Sequence, residues 1–245
     1  MKFPKYQRVT SLVVVLLFLS VSAFAGKPKK NESAAKLVDS GVFGVYVNGK
    51  RMASEKFEIS QTPEYSLLKS EFKLEEAKNP QNAELRLSPS GDLQRYEWSE
   101  KDQGTAVVEP KDEFLIEKVT INQGKSTEQP FILPTSTLIL DDYFFSQRQL
   151  LLWRYLAGQC RPKPGEAGCQ LTPTKFGVII PRAQMSSQVT ISYAGQQKLA
   201  IKGVDRELSR FDLHMEENDW IVWVDESYKI QKIAIEAERT EIYRD

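Results

Sequence analysis

The chain has 245 residues, with 33 Lys+Arg against 33 Asp+Glu. That balance leaves no electrostatic reason to bind nucleic acid or anionic lipid. The length suits one β-rich domain able to bury a proper core.

Met1 to Ala25 reads as a secretory signal. Lys2, Lys5 and Arg8 form a basic n-region, Leu12 to Leu19 an apolar stretch, and Ala23-Phe24-Ala25 a small-x-small cleavage site before Gly26. The apolar stretch is shorter than the roughly 20 residues that a membrane helix needs. The mature chain is therefore expected to be periplasmic or secreted, without an integral membrane segment. Cleavage removes three basic residues and no acidic one, leaving 30 basic against 33 acidic.

Residues 26–40 are polar and read as a flexible mature terminus. From Gly41 to Asp245 the pattern is one β-rich domain. Phe43, Val45 and Val47 alternate before Asn48-Gly49, a type I′ hairpin signal, and the return strand runs through Phe57 and Ile59. Thr62-Pro63 breaks it. Leu68, Phe72 and Leu74 alternate up to Lys78-Asn79-Pro80, and Ala83, Leu85 and Leu87 up to Pro89-Ser90-Gly91-Asp92. Tyr96 and Trp98 share the next strand face. Leu115, Val119 and Ile121 mark a further strand. Such a meander predicts adjacent antiparallel strands in a curved or half-closed sheet. The stretch from Gln129 to Thr137 then interrupts it, either as a crossover on the core or as a gate at a barrel mouth.

The segment from Leu138 to Gly158 is the helix candidate of the mature chain. Asp141 or Asp142 offers an N-cap, Phe144, Phe145, Leu151, Leu152, Tyr155 and Leu156 cover a broad apolar arc, and Gly158 is a C′ stop. The expected helix spans Asp142 to Leu156 and packs on the concave face of the sheet. Cys160 and Cys169 bracket a turn-rich loop and, after export, are expected to form a local disulfide. Strands resume at Phe176 to Ile180. Val189, Ile191 and Tyr193 precede a turn at Ala194-Gly195, with Leu199 and Ile201 on the partner strand. Phe211, Leu213 and Met215 follow. Trp220 to Val224 is apolar on both faces, which predicts a strand covered on both sides. The uneven spacing of Ile230, Ile233 and Ile235 predicts a bulge near Gln231-Lys232.

No catalytic motif, metal-ligand spacing or cofactor loop stands out. His214, on a polar strand face with Asp212 and Glu216, reads as a solvated histidine. Arg148 and Arg154 read as rim arginines with snorkelled stems, or as ligands for an anionic head group. Phe144, Phe145, Arg148, Trp153, Trp220 and Trp223 form the candidate ligand pocket; aromatics in such places also build plain core.

The leader, the opening GVFGVYVNGKRMASEKFEI hairpin, the LDDYFFSQRQLLLWRY helix and the closing WIVWVDESYKIQKIAIEAERTEIYR hairpin resemble a family of uncharacterised exported bacterial proteins. Their shape is similar to the lipoprotein-carrier (LolA/LolB-like) fold, a curved antiparallel sheet wrapped around helices. The resemblance implies a hydrophobic cavity able to take an acyl chain; it carries over no catalytic residues. Three functions follow as expectations. The first is a non-enzymatic carrier for an apolar small molecule or lipid. The second is an envelope module with a filled core that meets a protein partner. The third is a carboxylate-based hydrolase.

Overall fold

The structure, a computed structural model, describes residues 35–121, 124–160, 168–216 and 218–245. The leader over residues 1–25, the terminal segment up to residue 34 and most of the loop between the cysteines lie outside the described residues.

Among the described residues, fifteen strands form one sheet around one α-helix. In chain order they are β1 (Lys36–Val47), β2 (Lys50–Gln61), β3 (Ser66–Leu74), β4 (Gln81–Leu87), β5 (Leu93–Glu100), β6 (Gly104–Lys111), β7 (Phe114–Ile121), β8 (Ser126–Phe131) and β9 (Leu138–Ile139). After helix α1 (Ser146–Gln159) come β10 (Thr174–Ile180), β11 (Met185–Ile201), β12 (Val204–His214), β13 (Asp219–Val224), β14 (Ile230–Ile235) and β15 (Thr240–Arg244). The order across the sheet is β8 to β1 in descending sequence, then β15 to β9. The chain starts mid-sheet, meanders to one edge, crosses, and meanders back from the other edge until β15 pairs with β1. All pairings are antiparallel except the short β9–β10 pair. The expected mainly β fold, a large curved antiparallel sheet wrapped round one helix, is what the chain adopts.

The connection between the edges shows how far the sheet curls. Residues 132–137 carry the chain from β8 to β9. A six-residue link spans seven Cα–Cα steps and reaches at most roughly 25 Å, so the end of β8 and the start of β9 must approach one another. No ladder joins β8 to β9 among the described residues; one side-chain bond spans the gap, Gln129 Nε2 on β8 donating to the Gln184 carbonyl at 3.1 Å, just past a 3-10 turn at Pro181–Ala183 that follows β10. The result is a half-open barrel with a seam.

Local chemistry accounts for the turns. Asn48 and Gly49 both adopt positive φ, as a type I′ hairpin requires. Gln231 is the extra residue between the Trp223–Lys232 and Val224–Ile230 pairs, the bulge that the spacing predicts. At Gly104 a Cβ would sit 2.1 Å from the Thr120 carbonyl, so β6 can approach β7 there only as glycine.

Several expectations shift. β1 begins at Lys36, so residues 36–40 are strand rather than flexible terminus, and Asp39 is buried under Arg244 and Lys229. Ala194-Gly195 is not a turn: Gly195 sits at a register shift inside β11, and the reversal comes at Lys202-Gly203, both at positive φ. β6 and β8 were hidden between weaker signals. The lengthened β11–β12 hairpin folds back over the outer face, where Ile201 and Leu208 pack on Trp223 and Ala234. This supplies the second cover that the WIVWV strand needs.

Helix α1 starts at Ser146, not Asp142, and runs through Gly158 to Gln159. No side chain of its own caps it. Its end is Cys160, whose N–H reaches the Leu156 carbonyl at 2.7 Å and whose sulfur is bonded to Cys169. The first half of the helix, Ser146 to Leu152, is buried on every side, while Trp153 and Arg154 lie at the rim. Arg154 bonds the Gly91 carbonyl and lies 3.5 Å from Asp92, a rim contact as expected. Leu151, Leu152, Tyr155 and Leu156 join the main core with residues from both arms of the sheet. Leu152 is 1% exposed. Its replacement by Ala should lower stability by about 2–5 kcal/mol through lost burial and a residual cavity, read as a shift in denaturant midpoint.

Candidate functional site: a buried polar hub at the helix start

Strand parity places the polar groups. On β2 the inward residues are Ala53, Glu55, Phe57 and Ile59; on β3, Leu68, Ser70 and Phe72; on β7, Leu115 and Glu117. Alternation thus carries two glutamates and a serine into an apolar interior. Burying such groups is unfavourable unless partners compensate, so their contacts are informative.

Glu55 meets the helix start. Its carboxyl accepts the Ser146 N–H at 3.0 Å and a close hydrogen bond from the Ser146 hydroxyl, and the Ser70 hydroxyl lies 2.8 Å from that of Ser146. A carboxylate from β2 therefore does the work expected of an aspartate within the helical segment. Burial pushes the Glu55 carboxyl up to about 7, against the opposing effect of the Ser146 and Ser70 bonds and the Arg148 charge.

Asp141 is the second centre. Its Oδ2 accepts the Tyr96 hydroxyl at 2.6 Å, its Oδ1 accepts Arg182 Nε at 2.6 Å, and its N–H donates to Gln147 Oε1 at 2.6 Å. Arg182 comes from the 3-10 turn at the seam, lies 4.4 Å over the Tyr143 ring and donates to Gln81 on β4. Asp141 is therefore no N-cap, because its oxygens hold a phenol and a guanidinium. Burial and the Asp141 charge together raise the Tyr96 phenol well above its ordinary value.

Arg148 is a correction. It does not snorkel to the rim but is 2% exposed. Nη1 donates to the Asp141 and Phe144 carbonyls at 2.6 and 3.0 Å, and the guanidinium lies 4.1 Å over the Trp220 ring. Burial lowers its pKa to about 10, so it remains a cation at neutral pH.

Of the candidate pocket, Phe144, Phe145, Arg148 and Trp220 come together, with Phe145 and Trp220 rings 6.1 Å apart and Phe72 beside both phenylalanines. Trp153 stands apart at the rim, donating to the Tyr228 carbonyl at 2.9 Å. Trp223 points to the opposite face of β13, under the β11–β12 hairpin, where its N–H donates to Gln197. The sequence reading missed Glu55, Ser70, Tyr96, Glu117 and Arg182 as members of one cluster. His214 is exposed and pairs with Asp219. Among the described residues no group of three or more His, Cys, Asp or Glu is placed to hold a metal.

The hub is poorly suited to acting on a substrate. Ser146, Glu55, Asp141 and Glu117 are all 0% exposed, so a reacting bond could not be brought to them in this arrangement. What it can do is fix the depth and rotation of α1.

The fold is similar to that of a crystal structure of a β-barrel-like protein of domain of unknown function DUF1849 from Brucella abortus. The TM-score is 0.51 at 7% identity, over 84% of this chain and 94% of that chain. At that identity the likeness is one of fold alone. No family model matches the chain, and no curated protein matches it.

The raised Glu55 pKa has a signed consequence. The folded protein keeps the Glu55 proton between its ordinary pKa and about 7, so this stability is present in full below the ordinary value and is lost as pH rises to 7. The loss should be about 3 kcal/mol, since each tenfold weakening of the acid on folding corresponds to roughly 1.4 kcal/mol. Denaturant midpoints at pH 4.5 and 8 should fall with pH more steeply for the parent than for Glu55→Gln.

Proposed function

We propose that this protein is a non-enzymatic binding module of the cell envelope that meets a protein partner through its outer surface, with α1 as a fixed plug. The observation that carries this reading is the burial of Ser146 to Leu152 on every side, which fills the sheet interior around the helix start. Export is supported by the leader pattern and the Cys160–Cys169 disulfide. On the outer surface a cleft of about 570 Å³ lies where β1 begins and β15 ends. Its Arg244–Asp39–Lys229 ion pairs are bordered by Leu37 and Val204, both more than half exposed. Mixed charge beside exposed apolar groups suits a protein surface.

A carrier of an acyl chain or lipid, implied by the lipoprotein-carrier likeness, is the second reading. It draws on Ile132, which is 84% exposed in the link between the sheet edges, where a gate would sit. The hydrolase reading finds no support in carboxyls that are sealed from solvent.

Native mass spectrometry of the exported protein, purified without detergent, separates the readings. The plug reading expects the bare mature mass. An added mass that is released on unfolding and extracts into organic solvent would overturn it in favour of the carrier.

A further inference from the structure

Among the described residues, the buried side-chain atoms without a hydrogen-bond partner are Gln147 Nε2, Arg182 Nη2 and both carboxyl oxygens of Glu117; of these three side chains, Glu117 alone has no hydrogen bond at all. Glu117 is 0% exposed, and neither of its carboxyl oxygens has a hydrogen-bond partner. Its place in the sheet is informative. Register carries one inward row from Tyr96 on β5 to Val108 on β6, Glu117 on β7 and Gln129 on β8. Gln129 is the last side chain of that row before the seam, and it is the one that reaches Gln184 across it. Glu117 therefore sits one strand spacing, about 5 Å, behind the closing contact.

The groups facing it do not neutralise it. Val108 on β6 and Gln129 on β8 are uncharged. The Tyr96 phenol on β5 is committed to Asp141. Arg182, on the 3-10 turn, is engaged elsewhere: its Nε donates to Asp141 Oδ1 at 2.6 Å, its Nη1 donates to Gln81 at 3.0 Å, and its Nη2 lies 2.5 Å from the same Asp141 oxygen as an ion pair. Lys118, next on its own strand, is exposed on the outer face. The charge that acts on Glu117 is that of Asp141, and it repels.

We propose that the seam between β8 and the Pro181–Ala183 turn is a proton-dependent closure governed by Glu117. With Glu117 neutral, the row seals and Gln129 holds Gln184. With Glu117 ionised, an uncompensated charge lies on the strand next to the edge strand β8, and β8 separates from the turn to let water reach it. Sheet edges joined by a side-chain contact can part without breaking a ladder, which makes this the weak line of the barrel. Burial first, then the Asp141 charge, pushes the Glu117 carboxyl up to about 7, which puts the change near neutral pH. Glu55 titrates in the same range, but it is hydrogen-bonded to the helix start and does not adjoin the seam.

The test uses nitroxide labels at Glu128 and Ala183, exposed residues on either side of the seam, in the mature protein with its disulfide intact. The distance between them is measured by pulsed electron resonance at pH 5.5 and 8.5. The parent should give a narrow distribution at pH 5.5 that lengthens by about one strand spacing, roughly 5 Å, or broadens to that extent, at pH 8.5. Glu117→Gln should stay narrow at both. Glu117→Leu, an apolar replacement that needs no hydrogen bond, should do the same. A parent distribution that does not change with pH overturns the proposal. So does a pH response that survives in either variant.

Discussion

The bond between the Glu55 carboxyl and the start of α1 is the constraint on which the arrangement turns. A helix start leaves backbone N–H groups without partners, and burial of Ser146 takes its N–H away from bulk solvent. A carboxyl from β2 supplies the acceptor for Ser146, and the Ser70 and Ser146 hydroxyls complete the contact. With that end fixed within the sheet, the first half of the helix must be surrounded by strands. Its far end must then emerge at the rim, beside the turns carrying Gly91 and Tyr228, where Arg154 and Trp153 find their partners.

Two guanidiniums, Arg148 and Arg182, share the interior with three carboxyls, Glu55, Glu117 and Asp141. Direct pairing is confined to Arg182 and Asp141, while Arg148 rests on carbonyls and an aromatic face. With both glutamates neutral the hub carries one net positive charge; with both ionised it carries one net negative charge. Burial sets both glutamates to change state near neutrality. An apolar core of the same volume would be at least as stable. The polar groups instead give the plug a single depth and rotation, because one turn of slippage would break the contacts that Ser146, Gln147 and Arg148 make from the helix.

Much of this fold is legible in the sequence. Alternation and turn residues mark most strands, the type I′ hairpin, the bulge at Gln231 and the doubly covered β13. The bulge and the hairpin are local, so local chemistry decides them. Gly195 misled because positive φ serves a bulge as well as a turn. Asp141 misled because an aspartate before an apolar run resembles an N-cap, while its real partners, Tyr96 and Arg182, lie 45 and 41 residues away. The hub was half legible. Glu55 between Ala53 and Phe57, Ser70 between Leu68 and Phe72, and Glu117 two residues after Leu115 all sit at inward parity, and counting polar residues at inward positions would have found them. Arg148 was not legible, since a helical arginine between apolar neighbours reads the same whether its head reaches the rim or is trapped inside. Nor did sequence separate Trp223 from Trp220, because a strand apolar on both faces does not say which face meets the helix.

The most direct test of the central claim is a double-mutant cycle on Glu55→Leu and Ser146→Ala, read by denaturant unfolding at pH 5.5, where Glu55 is largely neutral. If the carboxyl anchors the helix start, the two losses overlap, and the coupling energy should be at least about 1 kcal/mol. Losses that simply add, to within roughly 0.3–0.5 kcal/mol, would mean that the two groups act independently and that the helix is held inside the sheet by its apolar packing alone.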